Sequence, residues 1–220
     1  DRRTACEVQK DSCLRKKVDF CFFMAIETYL FDLGGTLIDN GIYPRIYRPV
    51  MDMIKEFYGY SATTIDFMAD ESGLKRHKDG RWVPGELCRI LGLMDQYYKI
   101  LGDAINPSAE DLDHIVNTFE ELTNRGKQIG IVTNHFRKTT ALYVEKYRLG
   151  PNVSFLYTRD EAGCKKNDPL FWGKLILHHV LDPKECLVVG DDYYEDSELP
   201  QKFGFQTKLV TGPKDLIGLL

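Results

Sequence analysis

No two cysteines of the chain stand at C-x-x-C spacing, and no His/Cys cluster has the spacing of zinc ligands. The six cysteines, Cys6, Cys13, Cys21, Cys88, Cys164 and Cys186, are scattered. Scattered thiols in a chain of this length fit a reducing compartment, so a cytoplasmic location is expected. No apolar run approaches the roughly 20 residues of a membrane span, and no membrane partner is expected. There is no basic excess: 29 Lys and Arg stand against 33 Asp and Glu, a net charge of −4. That balance argues against nucleic acid as a partner, because phosphate-backbone contacts need clustered positive charge. Internal repeats and low-complexity tracts are also missing. What remains is ordinary for a globular protein, with 43% hydrophobic and 28% charged residues in 220. One or two domains with a full core are expected.

Residues 1–23 differ from the rest. Arg2, Arg3, Lys10, Arg15, Lys16 and Lys17 mix with three cysteines, without clean periodicity. The apolar run Phe20 to Ile26 is at the short limit for a signal-peptide core, and no small-residue cleavage site follows it. Residues 1–23 are expected to be a mobile N-terminal extension, with a natural start at Met24-Ala25.

Beyond it, apolar runs alternate with helical patterns. Strands are expected at Glu27–Asp32, Lys127–Thr133, Val153–Thr158, Glu185–Gly190 and Phe205–Val210. Helices are expected at Leu112–Arg125, closed by Gly126, at Lys138–Tyr147, stopped by Gly150 and Pro151, and at Asp168–Val180. This alternation predicts an α/β fold, a Rossmann-like parallel sheet with helices on both faces. Residues 41–111 break the pattern. Ile46–Tyr58 and 84–104 read as helical and Ser72–Trp82 as an exposed loop. The expected division is an α/β core of 24–40 and 112–220, with a small α-helical cap, 41–111, inserted after the first strand.

Four polar groups each follow an apolar run: Asp32-Leu-Gly34-Gly35-Thr36, Thr133-Asn134, Lys165-Lys166-Asn167-Asp168-Pro169, and Gly190-Asp191-Asp192-Tyr-Tyr-Glu-Asp196. In a parallel sheet all strand carboxyl ends open on one edge, so these side chains can converge. Asp32 has the chemistry of a nucleophile that attacks phosphorus. Thr133, the backbone N–H after it and a lysine suit the non-transferring oxygens. Asp191, with Asp196 or Asp192, adds charge that favours a divalent cation.

In this order the four groups resemble the haloacid dehalogenase-like hydrolase superfamily, over about residues 27–210. The resemblance implies a Mg²⁺-dependent phosphatase acting on a small phosphorylated metabolite through an aspartyl-phosphate. Carried over by motif, Asp32 is the nucleophile, and Thr133 and Asn134 bind phosphate. Lys166 is chosen over Lys165, because Lys-Asn-Asp-Pro keeps the family's register. Asp32, Asp191, Asp196 and the backbone carbonyl of Gly34 hold the metal. Where the family usually has a second aspartate, its acid/base, this chain has Gly34. That leaves three readings: a phosphatase without the usual acid/base; phosphonatase or dehalogenase chemistry; or a catalytically impaired phosphate-binding protein. Substitutes for the acid/base come from Asp39, Tyr43, His77 and His135. A phosphonatase needs a cap lysine, with Lys55, Lys75, Lys78 and Lys99 available. Tyr43, Arg45, Tyr47 and Arg48 are candidates for the entrance to the site.

Overall fold

The computed structural model describes residues 25–76 and 80–220. The expected extension 1–23, with Cys6, Cys13 and Cys21, lies outside the described residues, as do His77 and Lys78. The three described cysteines are unpaired thiols.

Five short strands form the centre: β1 Thr28–Phe31, β2 Gln128–Thr133, β3 Phe155–Thr158, β4 Cys186–Gly190 and β5 Gln206–Leu209. They pair in the order β3-β2-β1-β4-β5, and every pairing is parallel. Because side chains alternate along a strand, the sheet divides its apolar residues between two faces. Phe31, Ile129, Ile131 and Val189 belong to one core. Leu30, Val132, Tyr157 and Val188 belong to the other. Covered on both faces, the strands read as unbroken apolar runs.

Between β1 and β2 come α1 Ile42–Tyr58, α2 Ala62–Glu71, α3 Pro84–Ile90, α4 Met94–Ala104 and α5 Ala109–Asn124. Then follow α6 Arg137–Lys146, the single turn α7 Arg159–Ala162, and α8 Pro169–His179. Helix α5 supplies Ile115, Phe119 and Leu122 to the first core. Helix α8 supplies Phe171, Trp172 and Leu175 to the second.

Several boundaries differ from the sequence reading. Helix α1 starts one turn earlier than Ile46, and its stripe Ile42, Ile46, Val50, Ile54 is buried. Pro49 sits inside it and forfeits only the bond to the Arg45 carbonyl, on an exposed side. Helix α5 also starts a turn early, where the Ser108 hydroxyl accepts from Asp111 N at 3.0 Å. Helix α6 ends before Gly150-Pro151, since Arg148 turns the chain at φ +57. The span 84–104 is two helices, parted at Gly92, φ +69. The Ser72–Trp82 segment is not exposed throughout. Trp82 is buried, donates Nε1–H to Asp66 at 2.7 Å and is covered by Arg76 at 3.9 Å. Trp82 and the buried residues of α1–α4 belong to the same apolar cluster as one face of the sheet.

Candidate active site

Asp32 is the residue after β1, the central strand, and its N–H donates to Val189 O at 2.8 Å. Thr133 ends the neighbour on one side, and Asp191 follows the neighbour on the other. The site therefore sits where the strand order diverges, the usual crevice of an open parallel sheet.

Glycines make that crevice wide enough. A Cβ at Gly35 would lie 2.2 Å from Asp191 Oδ2, and one at Gly190 would lie 2.2 Å from the Asp196 carboxylate. Gly35 also has φ +82, which its turn requires. Gly34, by contrast, is not among the positive-φ residues.

Lys166 Nζ reaches into this space and donates to Asp32 Oδ1 and to Asp196 Oδ1, both pairs buried. Its neighbour Lys165 is exposed. The choice between them is made by the backbone. The Trp172 indole donates to Lys166 O at 3.0 Å, and Lys166 N donates to Asn134 Oδ1 at 2.8 Å. Ligand atoms of Asp32, Asp191 and Asp196 all lie within 4.8 Å of one another. Burial pushes the carboxyls of Asp32 and Asp196 up, and Lys166 opposes the shift in both. Asp191 is exposed at the surface, yet partial desolvation raises it too, with Asp196 adding to the shift. For Lys166, burial works against the charge, but Asp32 and Asp196 outweigh it and raise its pKa. The three carboxylates against one ammonium leave two negative charges uncompensated. This donor set, all oxygen and two charges in excess, fits Mg²⁺.

Other residues fall into place around the cluster. Asp192 stands apart from it, with Oδ1 accepting from Tyr194 N at 2.9 Å and Glu195 N at 2.8 Å. These bonds cap a π-helical segment, Tyr194–Glu198, that carries Asp196 inward, where Asp192 N donates to Asp196 Oδ2 at 3.1 Å. The Asn134 side chain is spent on structure: its Oδ1 accepts from Lys166 N, and its Nδ2 donates to Glu195 Oε2 at 2.6 Å. Thr133 is buried, and its hydroxyl oxygen accepts from His135 N at 3.2 Å. Among the acid/base candidates, Asp39 is exposed and bonds Gly41 N at 2.8 Å, a local turn role. Tyr43 and His135 meet, with rings stacked at 5.9 Å and OH to Nε2 at 3.2 Å. Glu195 and the Tyr43–His135 pair carry no local sequence signal for their contacts. Glu195 was recoverable only as a neighbour of Asp196.

A cavity of about 430 Å³ is lined by Asn134, which is bonded to the Lys166 backbone, and by His135, while Asp32, Lys166, Asp191 and Asp196 do not line it. Its helical side has Tyr43, Tyr47, Trp82 and Tyr97, and its sheet side has Phe136 and Arg159. Of the four expected entrance residues, Tyr43 and Tyr47 line it. Arg45 and Arg48 are exposed and do not. Among the described residues, the cationic groups of the wall are Arg81 and Arg159. Arg159 pairs with Glu86 at 2.7 Å and lies over the Phe136 ring at 4.3 Å.

The sequence pattern of the haloacid dehalogenase-like hydrolases matches residues 26–204. The chain belongs to that family. Pyrophosphatase PpaX of Bacillus cereus is 25% identical over 185 residues, 78% of this chain and 77% of its own. Among solved structures, the family's phosphatase from Thermococcus onnurineus superposes with TM-score 0.64 at 20% identity, covering 84% of this chain and 86% of that one. A family enzyme of Bacteroides thetaiotaomicron, in complex with magnesium and inorganic phosphate, superposes with TM-score 0.53 at 16% identity, covering 84% and 94%. These likenesses show the fold. The chain is thus a hydrolase-family member with a phosphatase-type relative, and no described helix is long and apolar enough to cross a membrane.

Proposed function

We propose that the protein is a Mg²⁺-dependent phosphatase that hydrolyses a small phosphorylated compound through an aspartyl-phosphate on Asp32. The observation that carries this reading is Lys166 bridging two buried carboxylates within a three-carboxylate cluster at the central strand's end. Burying two acids beside a third is costly unless they serve a cation and a phosphoryl group.

In this reading the Lys166 ammonium keeps Asp32 ionised and aims it. Asp32 attacks phosphorus, forming a new P–O bond as the ester P–O bond breaks. Thr133, the backbone beyond it and Lys166 hold the other phosphoryl oxygens. Asn134 acts through its neighbours, tying Lys166 to Glu195. Mg²⁺, held by Asp32, Asp191, the Asp196 side and the Gly34 carbonyl, would neutralise charge on the phosphoryl group. Residues 41–111 form the cap over a core of 24–40 and 112–220. The cavity between their side chains, bridged by Arg159–Glu86 and by Lys138–Asp95 at 2.9 Å, supports that division. Phosphonatase chemistry would need a cap lysine in the cavity. None lines it among the described residues, and Lys55, Lys75 and Lys99 are exposed. Dehalogenation has no use for the Asp191 carboxylate that this cluster retains.

The test is turnover of an aryl phosphate with and without Mg²⁺, together with labelling of the protein by a ³²P-ester. Asp32→Asn should abolish both turnover and label. Retained turnover in that variant would remove Asp32 from the mechanism. Binding of beryllium fluoride without any turnover would favour the catalytically impaired reading.

A further inference from the structure

We propose that the substrate is an aryl phosphate, the phosphate ester of a planar aromatic hydroxyl compound, whose ring occupies the cavity beside His135. The proposal rests on the phosphatase reading and narrows its substrate.

Two separate observations lead to it. The first is the cavity wall. At about 430 Å³ it has room for a one- or two-ring group. Tyr43, Tyr47, Trp82 and Tyr97 line it from the helical side and Phe136 from the sheet side. Aromatic walls favour a planar apolar guest through ring stacking and area burial. A polyol such as a sugar phosphate would bring hydroxyls that need partners on burial. Several polar side chains of the wall already have protein partners. Glu86 is bonded to Arg159 at 2.7 Å and to Arg89 at 3.1 Å. Asn134 is held between Lys166 and Glu195, and the Tyr43 hydroxyl meets His135.

The second observation is Gly34. It offers no carboxylic acid to protonate a departing oxygen, and Glu86, the one carboxylate lining the cavity among the described residues, is held by two arginines. An alkoxide is a poor leaving group, its conjugate acid being close to water with a pKa of about 15.7. A phenolate, with a conjugate acid of pKa about 10, departs without protonation. As Asp32 bonds to phosphorus, the aryl oxygen leaves with the electron pair of the broken P–O bond. A water oxygen then attacks phosphorus, the P–O bond to Asp32 breaks, and the carboxylate and inorganic phosphate are restored. The proton from that water passes to solvent. Wall and catalytic residues thus select the same class of ester, one by shape and one by leaving-group chemistry.

The experiment compares four phosphate compounds on the full chain with Mg²⁺: the phenyl, p-nitrophenyl and ethyl esters and the mixed anhydride acetyl phosphate. Acetyl phosphate has a good leaving group but no ring, so it separates chemistry from cavity. Phenyl phosphate should show a KM roughly tenfold or more below that of acetyl phosphate, the usual return from one apolar group in a fitting pocket. Ethyl phosphate should be slower than phenyl phosphate in kcat/KM by at least about 10², the range of the missing acid. Phe136→Leu should raise the phenyl phosphate KM several-fold more than the acetyl phosphate KM. Equal KM for phenyl and acetyl phosphate, or ethyl phosphate turned over as fast as phenyl, would overturn the aryl assignment and leave the phosphatase reading standing. If no ester is turned over and none labels Asp32, both fall. The wild-type comparisons decide the matter even where the variant does not fold.

Discussion

At Gly34 an added Cβ would lie 2.9 Å from Asn40 Oδ1 and 3.4 Å from His135 Nε2. Asn40 is exposed and its amide can turn aside, and the backbone at Gly34 is outside the left-handed region. A carboxylate therefore has room there. Gly34→Asp should raise the ethyl-to-phenyl ratio of kcat/KM, by up to the 10²–10⁴ or so that general acid–base catalysis supplies. An unchanged ratio in a folded variant would show that protonation does not limit the slow ester. His135 carries a second prediction. Burial, then Lys166 and Arg159, hold its pKa down to about 4. A histidine depressed in the fold stabilises above its unfolded pKa of about 6.5. That contribution is lost as pH falls from there toward 4, because the unfolded chain takes up a proton the native one refuses. His135→Gln should flatten the melting temperature across that window, and an undiminished acid-side slope would point to other groups. Much of the site is legible in single residues. Asp32, Thr133 and Asp191 each end an apolar run, which a sequence displays directly. The Tyr43–His135 pair is not legible, since 92 positions separate its members. Nor is the reason for Lys166 over Lys165, which lies in an indole six residues on.

Among elements, the strands and α5, α6 and α8 follow from their apolar periods, and the errors have identifiable causes. Helix α2 escapes notice because it buries only Ile65 and Ala69, too few positions for a stripe. The loop before α3 looks polar, yet Trp82 folds back under Arg76 onto Asp66, a contact with no local period. Truncating it, Trp82→Ala, should cost about 3–5 kcal/mol by the usual scale for a buried aromatic, read as a lower denaturant midpoint. A loss under about 1 kcal/mol would mean the segment is peripheral to the core. The π-helical segment after β4 is also invisible in sequence. Its shape follows from Asp192 capping two N–H groups while Asp196 turns toward Lys166.

For the molecule as a whole, the two uncompensated charges link stability to the cation. A ligand that binds only the native state stabilises it by about 2.7 kcal/mol at 100 times its Kd. Mg²⁺ should therefore raise the melting temperature of the wild-type chain, and Asp191→Asn should lose most of that shift. An equal shift in the variant would place the ion elsewhere. Cross-ties between loops bear on how substrate comes and goes. Asn134 joins the loop after β2 to Lys166 and to Glu195 beyond β4, and Trp172 pins the same lysine to α8. Three connections from three strands thus behave as one stiff floor. Opposite it, the helical ceiling is latched to the sheet side by polar pairs such as Arg159–Glu86 and Lys138–Asp95, the latter in contact with water. On the proposed reading, breathing that admits a guest comes from the ceiling, while Asp32 and Lys166 stay in register beneath it.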